Sequence, residues 1–171
     1  IAVKRLGVKD VIVVDREEEA GGTPRLCHHT GFGLRDLRWA YSGPDYARHY
    51  VRAAESAGLE IRTSTTVTGW QDGCTVSTTS PRGLGQIQAG AILLATGCRE
   101  RPRAARLIPG RRPQGVFTTG SLQRFVYQQH LPVGRRAVIV GAELVSLSAL
   151  MTLAHAHASV VAMVTEHSSH Q

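Results

Sequence analysis

The chain has 171 residues, 42% hydrophobic and 19% charged, which is enough for one ordinary core or two incomplete ones. No apolar run reaches the length of a bilayer span and the N-terminus lacks the apolar core of a secretory signal, so we expect a cytoplasmic protein without a membrane span. The net charge is +7, with arginines concentrated in Arg99–Arg112, but only 5% of residues are aromatic. Because stacking aromatics are scarce, the charge favours a cofactor pyrophosphate or a small acidic substrate over nucleic acid.

The cysteine pattern excludes several classes of site. Cys27, Cys74 and Cys98 lie far apart in the sequence, and the chain contains no CxxC motif. This argues against a disulfide framework, a zinc site built from cysteines and a redox-active dithiol. We expect three separate buried thiols and no metal centre.

The first predicted strand, Val11–Val14, ends on Asp15. In a dinucleotide-binding βαβ unit, a carboxylate at the end of the second strand accepts hydrogen bonds from ribose hydroxyls. A simple turn aspartate is the alternative interpretation. The glycines Gly21 and Gly22 follow, and they allow the backbone to approach a ligand without interference from a Cβ atom.

The next segment, Cys27–Leu34 (CHHTGFGL), carries two adjacent histidines. His28 or His29 could act as an acid/base group or bind a metal. Because adjacent histidines are rarely both ligands of one metal, we interpret them as loop residues, one of which faces a cofactor. No catalytic residue is assigned.

A helix is predicted from Gly43 to Gly58, with proline and an acid in its first turn and glycine at its end. Three short β-prone runs follow, Glu60–Arg62, Thr65–Trp70 and Thr75–Thr79. Glycine-containing turns divide them, which is typical of a small antiparallel meander.

The segment Ala91–Arg103, AILLATGCRERPR, begins as an apolar run that predicts a buried parallel strand ending at Thr96-Gly97. Ligands of open α/β sheets lie beyond the carboxyl ends of the strands, so Ala95, Thr96 and Gly97 are expected beside a cofactor. We therefore predict that Val11–Asp15 and Ala91–Thr96 are parallel strands of one sheet. Asp15 and Gly97 would lie at the same edge.

The rest of the chain predicts an irregular connection and a second βαβ start. Residues 99–115 contain three prolines, and Thr119 then caps a helix that continues to about Gln129. The second βαβ start consists of the strand Arg135–Val140, a turn at Gly141, the helix Glu143–His157 and the strand Val160–Thr165. The fold class is therefore α/β, with parts of two Rossmann-like units and a small antiparallel meander.

With these motifs laid out, the chain resembles the two-dinucleotide-fold flavoprotein oxidoreductases of the pyridine-nucleotide-disulfide-reductase superfamily. Within them it is most similar to the branch of sarcosine and opine oxidase subunits and hydrogen cyanide synthase subunits. The segments that carry the resemblance are VIVVDRE with the following Gly21-Gly22, GFGL, ATGCRERPR, PGRRPQGVFTTG and GRRAVIVGAELVS.

The resemblance implies a partial FAD-binding domain over residues 1–118 and the start of an NAD(P)-binding-like domain over 119–171. It implies that Asp15 holds the FAD ribose, with Arg16, Gly21 and Gly22 near the cofactor. It also implies that Val67 offers main chain to the adenine and that Ala95, Thr96 and Gly97 pack against FAD. Gly141 would open the NAD(P)-type half.

Two departures from the family pattern qualify these implications. The family's first strand and its GxGxxG turn would precede Ile1, so we expect the chain to be a central fragment. In the second unit, Glu143 and Ser146 stand where the pattern has glycines. A glutamate there would compete with a pyrophosphate for the helix amides, which argues against NAD(P) binding.

The resemblance implies an FAD-dependent oxidoreductase that transfers hydride from an amine or amino-acid-like substrate to flavin. Its partners would be that small-molecule substrate and other oxidoreductase subunits. The alternative is a non-catalytic remnant or interaction subunit that is unable to bind FAD by itself.

Overall fold

A computed structural model describes residues 1–111 and 113–165 of the chain. Arg112, part of the predicted arginine-rich connection, and residues 166–171 lie outside the described residues. The chain forms two compact units. The first unit combines Ile1–Gly22 with Asp45–Gly97, and the second combines Thr23–Pro44 with the described residues from Cys98 onward. The division into a partial FAD-binding domain over residues 1–118 and the start of an NAD(P)-binding-like domain over residues 119–171 stays a prediction.

The strands are β1 Ile12–Val14, β2 Thr30–Phe32, β3 Tyr41–Ser42, β4 Glu60–Arg62, β5 Thr66–Gln71, β6 Thr75–Ser80, β7 Gly83–Gln88, β8 Arg136–Val140 and β9 Ser159–Val164. The α-helices are α1 Ala2–Arg5, α2 Gly43–Ser56, α3 Thr119–Gln123 and α4 Leu144–His155. Short 3-10 turns occupy Thr23–Leu26 and Arg103–Arg106, and a π-helical turn, Arg124–Gln128, continues α3. The predicted α/β fold class is confirmed, because parallel pairs, helices and an antiparallel meander are all present.

In the first unit, β1 pairs in parallel with β4, so that Val13 lies opposite Ile61. The prediction that Glu60–Arg62 belongs to the meander is wrong. The helix α2 comes between the two strands in sequence and carries the chain back, which is how parallel neighbours are connected. Ala47 and Ala54 are buried seven residues apart, on one face of this helix.

The antiparallel meander consists of β5, β6 and β7. Thr66 pairs with Thr79 and Thr75 pairs with Gln88. The strand β7 was not predicted, because its glycines and polar residues are typical of a turn. The hydrogen bonds to β6 stabilise this segment as a strand, although its own sequence does not indicate one.

The predicted strand over Ala91–Thr96 is wrong, because residues 91–100 form no regular secondary structure. Leu93 is 84% exposed and Leu94 is 69% exposed. The resemblance places a further strand between this segment and β1, and no segment of the described chain takes that place. A strand forms only when its amides and carbonyls find a neighbouring strand, so the apolar run remains irregular here.

In the second unit, β8 and β9 form a parallel pair connected by α4, as the sequence predicts. Its core cluster consists of Leu122, Val126, Ile139, Ala149, Leu153 and Ala158. The strands β2 and β3 form a short antiparallel pair within the same unit. The predicted helix is confirmed, but its cap is Thr118 and not Thr119, because the Thr118 side chain accepts from the Ser121 amide. Its second half is the π-helical turn.

Two further observations bear on the expectations from composition. Within the described residues, the longest helix has 14 residues, and no helix is long and apolar enough to cross a membrane. All three cysteines are free, but only Cys27 and Cys74 are partly buried. The expectation of three buried thiols is wrong for Cys98, which lies in the exposed irregular segment.

Candidate functional site

Asp15 directly follows the carboxyl end of β1, where the sequence places a ribose-binding carboxylate. Both backbone groups of Asp15 bond to β4 and the turn after it. The amide donates to the Arg62 carbonyl at 2.9 Å, and the carbonyl accepts from the Thr65 amide at 3.0 Å. The side-chain Oδ1 accepts from the Glu17 amide at 3.0 Å. The carboxylate is partly exposed, and its bond to Glu17 leaves acceptor capacity among the described residues for two hydroxyls.

The loop after Asp15 is open at the positions that the resemblance assigns to the cofactor. Gly21 and Gly22 have φ values of +122° and +62°, which are conformations that glycine adopts readily. A Cβ atom added at Gly22 would meet no heavy atom within 4 Å. Arg16 is exposed, and its Nε donates to Glu17 Oε1 at 3.2 Å. Backbone can therefore approach a ligand at this loop.

The structure brings a second segment to Asp15 that sequence reasoning did not single out. The Ser64 amide donates to the Glu17 carbonyl at 2.8 Å, and the buried Thr65 bonds the Asp15 carbonyl. These bonds tie the turn after β4 to the loop after β1. The signal that could have found this segment is its position after a strand parallel to β1, because parallel strands end at the same sheet edge.

Val67, the predicted adenine contact, lies in β5 two residues after Thr65. It pairs with Thr78 of β6, and a register irregularity separates it from Gly69. The side chain is 47% exposed. Val67 therefore lies two residues after Thr65, whose amide bonds the Asp15 carbonyl.

Ala95, Thr96 and Gly97 are exposed and irregular. Gly97 has a φ of +68°, and a Cβ atom there would meet nothing within 4 Å. No hydrogen bond links these three residues to Asp15 within the part of the chain that the structure describes. The structure therefore bonds Asp15 to Thr65, two residues before Val67, and bonds none of these three residues to Asp15.

At the turn of the second unit, Gly141 has a φ of +122°, and its amide donates to the Val164 carbonyl at 2.8 Å. The Glu143 carboxylate folds back over this glycine. A Cβ atom at Gly141 would overlap Glu143 Oε2 and lie 3.4 Å from Ser146 Oγ. The space above the glycine is already filled by a carboxylate, so these residues do not fit a dinucleotide pyrophosphate.

Arg106 holds the same carboxylate from the arginine-rich connection. Its Nη2 donates to Glu143 Oε1 at 2.6 Å, and this hydrogen bond lowers the pKa of the Glu143 carboxyl from its usual value of 4.5. Arg103 donates to the carbonyls of Pro109 and Gly110. Arg103 and Arg106, which belong to the segment expected to attract an external anion, therefore bind acceptors within the chain.

A different carboxylate, Glu100, occupies the start of α3. It accepts from the Thr119 amide at 3.1 Å and the Gly120 amide at 2.6 Å. Thr118 Oγ1 accepts from the Ser121 amide at 3.3 Å. The first three amides of the helix are thus satisfied by side chains, and Glu100 has a structural role there.

The two candidate histidines lie in the second unit. The His28 ring stacks on Tyr127 with centroids 3.9 Å apart, and Tyr127 also contacts His155 at 5.0 Å. His29 lies 5.4 Å from Phe32. No group of three or more metal-ligating side chains is placed to hold a metal ion among residues 1–111 and 113–165.

Solved structures share the fold of this chain, among them the following two. L-proline dehydrogenase from P. horikoshii superposes with a TM-score of 0.70 at 17% sequence identity, over 94% of this chain. An NAD-dependent persulfide reductase from A. fulgidus superposes with a TM-score of 0.57 at 18% identity, also over 94%. The chain spans 32% and 30% of the length of these two proteins. No protein-family description and no curated protein matches the sequence.

Proposed function

We propose that the chain belongs to an FAD-dependent oxidoreductase and supplies the ribose side of its FAD site. One observation carries the proposal: Asp15 lies at the carboxyl end of a parallel strand pair, with an open glycine loop directly after it. This is where dinucleotides lie in doubly wound sheets. The likeness in fold to a dehydrogenase and a reductase supports the same class of reaction.

Each residue has a separate task in this proposal. The Asp15 carboxylate would accept the ribose hydroxyls, while the backbone at Gly21 and Gly22 would pass close to the cofactor. Val67 would offer main chain to the adenine. Ala95, Thr96 and Gly97 would lie along the flavin side, with Arg16 at the rim. When bound, FAD supplies a two-electron acceptor, which takes a hydride from a substrate C–H bond.

The substrate that we propose is an amine or amino acid, oxidised at the carbon next to nitrogen. The support is the resemblance to sarcosine and opine oxidase subunits, together with a neighbour named for acting on L-proline. Other oxidoreductase subunits are the proposed protein partners, and the proposed location is cytoplasmic. His28 and His29 stay candidates for proton transfer.

Titration of the purified chain with FAD tests the ribose-side proposal, using the quenching of flavin fluorescence as the readout. The sequence contains no GxGxxG turn, so we expect weak but saturable binding. Asp15→Ala removes bonds to a charged acceptor worth about 1.5–3 kcal/mol each, so affinity should fall at least about tenfold. The matched control is Asp10→Ala, an exposed aspartate before the same strand, which should bind like the wild type. Equal affinity of the two variants would refute the role of Asp15.

The flavin content of the protein as purified separates the proposal from its alternative. We expect less than one flavin per chain, because phosphate contacts contribute much of the affinity for a dinucleotide. With added FAD, an amine or amino acid should bleach the flavin absorbance without oxygen. Absence of any saturable FAD binding would favour the non-catalytic interaction subunit. One tightly bound flavin per chain would show that a phosphate site exists elsewhere in the sequence.

A further inference from the structure

The turn between β8 and α4 has the backbone of a dinucleotide site but is filled by one of its own side chains. Gly141 takes the positive φ of a glycine turn, and β8, α4 and β9 follow in the βαβ order. In working sites of this kind, the glycines leave room for a pyrophosphate at the helix N-terminus. Here the Glu143 carboxylate stands in that room.

Two contacts hold the carboxylate in place. Arg106 donates to Oε1 at 2.6 Å, and Ser146 Oγ donates to Oε2 at 3.3 Å. The Arg106 and Glu143 side chains are 38% and 50% exposed, so their ion pair alone would be weak. The fold brings Arg106 to the turn from 37 residues earlier in the chain.

We infer that the second unit is closed to dinucleotides from within, by the Glu143 carboxylate over Gly141 with Arg106 as its counter-ion. A pyrophosphate would have to displace the carboxylate, compete with it for Arg106 and approach a negative charge. The side chain thus excludes the ligand both by volume and by charge. Nicotinamide nucleotides would then neither deliver nor accept electrons at this turn.

The lowered pKa of Glu143 agrees with this geometry. The hydrogen bond from Arg106 is the main cause, with contributions from the backbone and from Ser146. The carboxyl therefore stays ionised throughout the neutral range. The arginine-rich connection acquires a role in this arrangement, because Arg106 keeps the turn closed instead of recruiting an external anion.

Calorimetric titration of the full chain with ADP, NADH and adenosine tests the inference. Every protein titrated carries Asp15→Ala, because the ribose site proposed for the first unit would otherwise bind the adenosine part of all three ligands. This Asp15→Ala parent should bind none of them measurably at millimolar concentrations. Glu143→Ala in the parent keeps the extended backbone at the start of α4 but removes the carboxylate, so ADP and NADH should bind at least about tenfold more tightly than to the parent. Adenosine, which lacks the pyrophosphate, should still not bind.

Glu143→Gln keeps the volume and removes the charge, so it should gain less affinity than Glu143→Ala. The matched control is Glu60→Ala, which breaks the Glu60–Arg62 pair of similar length and exposure in the first unit. It should leave ADP binding as weak as in the Asp15→Ala parent. Circular dichroism identifies any variant that fails to fold, in which case Glu143→Gln alone provides the test.

Saturable binding of ADP to the Asp15→Ala parent would overturn the inference. So would a folded Glu143→Ala variant of the parent that binds no ADP, or one that binds adenosine as well as ADP. None of these titrations uses flavin, and all are made without the Asp15 carboxylate. Failure of the FAD proposal would therefore leave this result unaffected, and the reverse also holds.

Discussion

Removal of the Glu100 side chain should loosen α3 without unfolding the rest of the chain. The carboxylate accepts from the Thr119 and Gly120 amides, at 3.1 Å and 2.6 Å, across 19 and 20 residues of sequence. These amides have no partner inside the helix, so Glu100→Ala returns them to water. The helix carries Leu122 and Val126 into the core, which links the cap to the packing of the second unit.

The size of the effect follows from the two bonds and the position of the charge. Loss of a helix cap costs about 0.5–2 kcal/mol, and a carboxylate at a helix N-terminus contributes about 0.3–1 kcal/mol through the helix dipole. Glu100 is partly buried, and Thr118 still caps the Ser121 amide in the variant. We therefore expect about 1–2 kcal/mol, which corresponds to a roughly five- to thirtyfold change in the opening equilibrium.

Hydrogen exchange measured by mass spectrometry over residues 118–129 provides the assay. Exchange in this peptide should accelerate by that factor in Glu100→Ala, and by less in Glu100→Gln, which keeps one acceptor oxygen. Glu18→Ala, a substitution at an exposed acid outside this unit, is the control and should change nothing there. A change below about twofold in Glu100→Ala, or the same change in the control, would refute the capping argument.

Three further predictions concern thiol reactivity, strand order and a buried polar pair. Iodoacetamide at pH 7 should modify the exposed Cys98 before Cys27, because burial raises the pKa of the Cys27 thiol. The difference between the two modification rates should become smaller as the pH rises. Faster modification of Cys27 would contradict this prediction. The backbone amides of Ala91–Thr96 should exchange with solvent at near-random-coil rates. The amides of β6, which is bonded to a strand on both edges, should exchange slowly. Protection of the Ala91–Thr96 amides would mean that this segment forms a strand. Ser148→Ala should destabilise the second unit by about 1–3 kcal/mol in urea unfolding, since it leaves the amide of buried Gln123 without its 2.7 Å partner, and an unchanged midpoint would refute this.

Local sequence signals determined most of the elements of this chain. The apolar runs of β1 and β8, the proline and glycine that bound α2, and the apolar α4 predict their elements to within a few residues. Asp15 after β1 and Gly141 after β8 were also identified from sequence. Each of these signals acts over a few neighbouring residues, through hydrophobic periodicity, turn chemistry or helix capping.

Only the tertiary structure decided which segments meet. The apolar run Ala91–Thr96 has the composition of a strand but no neighbour to pair with, whereas β7 has the composition of a turn and becomes a strand beside β6. The position of Glu143 indicated a conflict with a pyrophosphate. Its Arg106 partner, 37 residues away, was visible only after folding, because the energy of pairs distant in sequence depends on a geometry that no local pattern encodes.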